Sequence, residues 1–390
     1  MRIQKVHIGG WFQRTTLHLS ESWKFLKHGA TSLDIDHAAL SAAHAQLELV
    51  SVVREMGPLE YIYAESARGV SFRIYEDGLI ILERAHSEIN EDFNIIREYY
   101  DNRLSAALNL IFSKGAPVPK ELATIATILP YIVTVKNAKK HEADTLLTQH
   151  GEEAYSFVSS KSVEVYRSPG IIIINNLEDE VAAREIIESQ IFFREFKTQL
   201  HRYLDIHRAL WEEIRVIKEA GEIRGTDVDT YRKQLAQYQK TITLISARID
   251  QMPAYVRTRQ KLMQTETEDA YLSPLFQFKF ETLLDTHEYV RHLWAMTKNY
   301  LASAIELFTE LGQKSTKNSI ASLQVITTLG VVAAILGYLG RETLPTFTIV
   351  GAGYFILLLF ITWLINEVVS RYYKHKSYPV DQDDLHAPTA

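Results

Sequence analysis

Three carboxylates, Glu281, Asp285 and Glu288, fall four and three residues apart, which sets them on one face of a helix. Carboxylates so placed could hold Mg²⁺ through its waters, although a solvated acidic face is the commoner meaning of such a row. A second set is polar: Asn318, Ser322, Gln324, Thr327 and Thr328 gather in the first half of a charge-free stretch, Asn318 to Gly340. Polar groups in such surroundings need a helix partner or water, or, for threonine, the carbonyl four residues back. A third set is cationic. Arg232, Lys233, Lys240, Arg248, Arg257, Arg259 and Lys261 could receive a small anionic ligand, but pairing with Glu212, Glu213, Glu219 and Glu222 of the preceding segment is the expected arrangement.

Other chemistry is poorly supplied. The chain has no cysteine, which removes disulfides, thiolate nucleophiles and thiolate metal sites. Fourteen histidines invite a metal reading, yet His201/His207 and His287/His292 are six and five residues apart, a poor fit to one helix face. Gly9-Gly10 and Ser168-Pro169-Gly170 lack the spacing of a phosphate-binding fingerprint and read as turns. No nucleophile–base pair stands out, and no enzymatic activity is expected. A net charge of -6 gives no reason to expect nucleic-acid binding.

The elements that must position these residues fall into two regimes. From Ile3 to about Tyr166 short β-rich runs alternate with turns and helices. Strands are expected at 3–8, 14–19, 47–53, 61–64, 70–75, 79–83, 131–136, 162–166 and from Ile171, with Glu76-Asp77-Gly78 as a hairpin turn. Segments 87–111 and 138–149 read as helices. After Asn176 strand signals cease: 177–220 and 227–251 read as an antiparallel helical pair broken at Gly221 to Gly225.

From Leu275 no proline occurs before Pro345, so one helix can run through the whole interval. Thr286, Val290, Leu293, Thr297, Tyr300, Ala304, Leu307 and Leu311 follow it at four-three spacing, the pattern of a helix packed about a common axis. The same phase continues through Lys314, Asn318, Ala321, Val325, Thr328, Val332 and Ile335.

Asn318 to Gly340 and Thr343 to Asn366 are uncharged and separated only by Arg341 and Glu342. At ~1.5 Å per residue each reaches ~35 Å, enough to span a bilayer once as a hairpin. Lys314 and Lys317 precede the first, and Arg371, Lys374 and Lys376 follow the second. The positive-inside bias then places both termini in the cytoplasm, in a multi-pass protein of the inner (cell) membrane. Met1 to Ser20 does not read as a signal peptide. The expected organisation is a cytoplasmic α/β domain over 1–176, a helical hairpin over 177–270, a stalk helix over 271–317, transmembrane helices over 318–340 and 343–366, and a cytoplasmic tail, basic then acidic, over 367–390.

In this order of parts the chain resembles the CorA family of magnesium channels. Members close the first span with Tyr-Gly-Met-Asn; here the segment reads Gly337-Tyr338-Leu339-Gly340-Arg341-Glu342, without the Met and Asn. The resemblance implies a CorA-like funnel, a homopentamer in the lipid bilayer, and a channel gated by its cytoplasmic sensor domain, with ion transport of altered selectivity. It implies pore-lining positions at Asn318, Ala321, Gln324, Thr328, Val332 and Ile335, and a pore mouth at Tyr338, Gly340, Arg341 and Glu342. The family's metal sensor pairs acidic groups across subunits, which implies a regulatory role for Glu281, Asp285 and Glu288. Divergent members beside type III CRISPR systems resemble antiviral defence effectors switched by a nucleotide second messenger, so Mg²⁺ or such a nucleotide is the implied regulatory ligand. A membrane-anchored scaffold or enzyme is the remaining alternative.

Overall fold

A computed structural model of the chain describes residues 1–13, 17–57, 59–115, 130–160, 163–176, 180–266, 272–339 and 349–379. It divides into two compact units. The first comprises 1–205 with 244–293, and the second 206–243 with 294–390, so the division falls within three long helices.

The first unit is built on a nine-stranded sheet. Its strands are β1 (Arg2–Trp11), β2 (Leu49–Glu55), β3 (Tyr61–Ser66), β4 (Val70–Tyr75), β5 (Leu79–Ala85), β6 (Tyr131–Lys136), β7 (Ser156–Ser159), β8 (Val163–Arg167) and β9 (Ile171–Asn176). Their order is β2-β3-β4-β5-β1-β6-β9-β8-β7, and β6–β9 is the parallel pair among otherwise antiparallel neighbours. From Val6 onward β1 is buried at every position, because both faces of the sheet are covered. Val6, Ile8, Phe72, Ile80, Leu82 and Val133 join the core formed with α1 (Leu19–His28), α2 (His37–Gln46), α3 (Ile89–Tyr99), α4 (Ser105–Gly115) and α5 (Lys140–Gln149). A π-helical turn, Tyr100–Leu104, links α3 to α4.

The opposite face carries Lys5, His7, Gly9 and Trp11 of β1 and faces the first part of α6 (Glu180–Lys218). Trp11 packs on Phe192 and Phe196 of α6 and on Tyr255 of α7 (Gly225–Glu266). Gly9 permits this approach: a Cβ there would lie 2.4 Å from the Ile80 carbonyl oxygen and 2.7 Å from Ile191 Cδ1. The β4–β5 hairpin turns at Gly78, whose φ of +88° suits glycine.

In the second unit α6 and α7 are joined through β10 (Glu222–Arg224), which pairs with β11 (Ser377–Pro379) near the end of the chain. The long helix α8 (Leu272–Leu339) runs without interruption across the interval expected to be helical, and α9 (Ile349–His375) follows. The buried row of α8 is Leu283, His287, Val290, Trp294, Thr297, Leu301, Ala304, Phe308 and Leu311. It keeps the four-three spacing and shares Val290, Thr297, Ala304 and Leu311 with the expected seam, but replaces Thr286, Leu293, Tyr300 and Leu307 with the residue after each.

One expectation is overturned. Among the described residues, no helix is long and apolar enough to cross a membrane. This removes the two transmembrane helices over 318–340 and 343–366, and with them the multi-pass inner-membrane location, the channel and the pentameric funnel. An uncharged run is not the same as an apolar helix. The first run carries Asn318, Ser319, Ser322, Gln324, Thr327 and Thr328 in its opening half, and residues 343–348 of the second lie outside the described residues. What stands of the fold class is an N-terminal sheet domain and long helices. The expected strand at 14–19 is also corrected: Leu19 opens α1, and residues 14–16 lie outside the described residues.

Candidate ligand-binding site

Strand register assembles a polar cluster on the α6-facing side of the sheet. His7 of β1 stands opposite Glu83 of β5, Lys5 opposite Thr134 of β6, and Arg73 of β4 opposite Ile81 of β5. Because side chains alternate across a strand, Lys5 and His7 share a face, as do Ile81 and Glu83. These residues, with Gln4 and with Ala183, Arg184 and Ile187 from the first turns of α6, line a cavity of about 310 Å³. That is the lower end of the size range for small-molecule sites.

Glu83 is the electrostatic hub. Its Oε1 accepts from Lys5 Nζ at 2.9 Å, and its Oε2 accepts from Arg73 Nη1 at 3.1 Å. Burial opposes ionisation of Glu83, but attraction to His7, Arg73 and Lys5 outweighs it and holds the carboxyl down at about 2. Burial likewise works against the Arg73 charge, yet Glu83 keeps that guanidinium above its ordinary value. His7 behaves differently. It is 4% exposed, and burial lowers its imidazole to about 4 despite the neighbouring Glu83, so it is neutral at pH 7.

With Glu83 ionised and His7 neutral, Lys5, Arg73 and the exposed Arg184 leave the lining with an excess of positive charge. The floor is strand backbone, which keeps the groups in place, while Arg184 and the half-exposed Lys5 side chain reach solvent. Such a lining suits an anion.

A neighbouring network fixes the wall. Arg259 of α7 donates to Asp77 at the β4–β5 turn through Nε at 2.6 Å and Nη2 at 2.9 Å, and to Glu188 of α6 through Nη1 at 2.7 Å. Tyr75 donates to Glu188 at 2.5 Å, and burial together with that carboxylate raises its phenol. Arg259 is buried, a cost that Asp77 and Glu188 more than offset, so its guanidinium is held above its ordinary value. A smaller cavity of about 210 Å³ adjoins this network and shares Arg184 with the first.

The residues singled out from sequence lie elsewhere. Glu281 and Asp285 are exposed on α8, while Glu288 binds Arg291 at 2.5 Å and His292 at 3.1 Å on its own helix. Among the described residues, no group of three or more His, Asp or Glu stands close enough to hold a metal ion. Asn318, Ala321, Gln324, Thr328, Val332, Ile335 and Tyr338 all belong to α8, whereas Gly340, Arg341 and Glu342 lie outside the described residues. Ala321 and Gln324 line a cleft of about 930 Å³ with Gly225, Asp229 and Arg232 of α7. Thr327 and Thr328 donate to the carbonyls of Leu323 and Gln324, four residues back.

The ion pairs seen for the basic row of α7 differ from the expected ones, Arg232 meeting Asp229 on its own helix. Glu212 and Glu219 bracket Arg215 on their own helix, and Arg259 goes to Asp77 and Glu188. Sequence reasoning missed Lys5, His7, Arg73, Glu83, Thr134 and Arg184 altogether. Only the alternation of polar residues within otherwise apolar strands, as in His7 between Val6 and Ile8, could have marked them.

No family model and no curated protein matches the chain. Among solved structures it is similar to the CorA magnesium transporter from Methanocaldococcus jannaschii, at 11% identity over 64% of this chain and 90% of that one, with a TM-score of 0.29. The likeness is distant, and at that score it carries no argument about this chain's activity.

Proposed function

We propose that the first unit is a binding module for a small anion, housed in the cavity between the β1–β5 face and the start of α6. The observation that carries this reading is the lining itself: Lys5, Arg73 and Arg184 against the single ionised carboxylate of Glu83, beside a neutral His7. A cavity of this size takes a phosphate or carboxylate group with a small body attached. A nucleotide second messenger, the ligand that the CorA resemblance implies, would be one member of that class. We propose that the module senses its ligand rather than transforming it, the Thr134 hydroxyl beside His7 being tied to the Lys5 backbone.

Self-association is proposed on separate grounds. Ile320, Val325, Val332, Ile335, Phe360 and Trp363 are each about half exposed on α8 and α9, and an apolar surface of that kind marks a partner site. A second copy of the chain is the partner we propose.

Calorimetric titration with inorganic phosphate and with citrate tests the binding reading. Arg184→Gln is the clean variant, because Arg184 is exposed and its loss need not disturb the core. It is expected to weaken binding about tenfold, the scale of one charge-assisted hydrogen bond. Equal affinity in the variant and the parent, or no binding of either anion, would remove the proposal.

A further inference from the structure

The hydrogen bonds around His7 define what else the ligand must carry, on the reading that the cavity holds an anion. Thr134 Oγ1 donates to the Lys5 carbonyl at 3.2 Å and accepts from the Lys5 N–H at 3.2 Å. Its proton is thereby committed, and its remaining lone pair faces His7 Nε2 at 3.4 Å. A hydroxyl in that state can only accept from the imidazole, so Nε2 carries the ring proton and Nδ1 is left with a bare lone pair. His7 Nδ1 is buried without a hydrogen-bond partner. Glu83 Oε2 lies 3.8 Å from it and is also an acceptor, so neither can satisfy the other.

Two acceptors side by side in a cavity wall, one of them buried and unpaired, are complementary to a donor. The charged groups recognise an anion and the His7–Glu83 pair recognises an N–H or O–H. An anion with no proton of its own, bound by Lys5, Arg73 and Arg184, leaves the Nδ1 lone pair unmet. We infer that the ligand is a small phosphate ester bearing a hydroxyl near its phosphate, with the phosphate at the cationic groups and the hydroxyl donating to His7 Nδ1. His7 then acts as a specificity-determining residue and Thr134 as the positioning residue that fixes its tautomer.

Glycerol 3-phosphate and propyl phosphate share charge and chain length and differ in hydroxyls, so their affinity ratio for the full chain reads the donor alone. The expected ratio is about tenfold in favour of glycerol 3-phosphate. His7→Phe should bring it close to one. Thr134→Val keeps the imidazole but frees its proton to move to Nδ1 and face Glu83; it should lower the ratio too, and ¹⁵N spectra of the His7 ring should show the change of tautomer. A ratio near one in the parent chain, or a ratio unchanged in both variants, overturns the inference while leaving anion binding intact. Failure of the parent chain to bind inorganic phosphate or either ester overturns both.

Discussion

His7 and Glu83 make the chain sensitive to acid in two stages. A group whose folded value is depressed contributes stability above its unfolded value and loses it as pH falls toward the folded one. For His7 the window runs from 6.5 down to about 4, and for Glu83 from 4.5 down to about 2. A fall of this size corresponds to about 3 kcal/mol for each group. Urea unfolding midpoints should therefore drop between pH 7 and 4 and again below it. His7→Phe should flatten the first limb and also shrink the second, because the attraction of His7 helps hold Glu83 down; a first limb that persists in that variant would show that another group titrates there. Arg259 sets the second residue-scale expectation. Removing the cation with Arg259→Met strands Asp77 and Glu188 without their partner, and a loss of about 3–5 kcal/mol in denaturant unfolding is expected. A cost under 1 kcal/mol would mean that water replaces the guanidinium. Neither cluster could be read along the chain. His7 meets Glu83, and Asp77 meets Arg259, through strand register and helix packing across long separations, and no local spacing encodes that.

At the scale of elements, sequence patterning gave most strands because apolar β-branched runs bounded by turns are local signals. The expected strands at 70–75 and 131–136 coincide with β4 and β6. The short β7 carries only four residues, and β10 and β11 three each, too few for a period to show. The seam of α8 failed in an instructive way. From Val290 a four-three row can step to 293 or to 294, and adjacent apolar pairs, Leu293/Trp294, Tyr300/Leu301 and Leu307/Phe308, satisfy either phase. Aromatic neighbours settle it: Trp294 meets His207 edge-on, and Phe308 meets Tyr231. Hence Trp294→Ala and Phe308→Ala should each cost about 3–5 kcal/mol, and Leu307→Ala well under half of that. Urea unfolding of the three variants checks the order, and a larger loss from Leu307→Ala would restore the other phase.

Over the whole molecule, the expected pair of spans met no support: among the described residues no helix is long and apolar enough to cross a membrane. The segment after Lys317 opens on serine, threonine, asparagine and glutamine, and counting only charges hides them. A family resemblance built on the order of parts then rested on a membrane setting that the described helices do not meet. The tail was equally illegible, because Tyr378 is buried by a pairing between β11 and β10, which lie more than 150 residues apart. If the cavity is the binding site, amide exchange with ligand present should slow in β1, β4, β5 and the start of α6. Protection absent from those strands would place the ligand elsewhere. Light scattering of the purified chain should give a mass above the 44.7 kDa of one copy, and Trp363→Glu should lower it. A monomer at all concentrations would remove self-association.

The central claim is that Lys5, Arg73 and Arg184 bind an anion in this cavity. Its most direct test is an experimental structure of the full chain with tungstate, an electron-dense stand-in for phosphate. The account predicts a tungsten peak within about 4 Å of the Arg73 and Arg184 guanidiniums, the reach of an ion pair, and its loss in Arg73→Gln. A cavity without a peak, while tungstate binds at other surface cations, would contradict it.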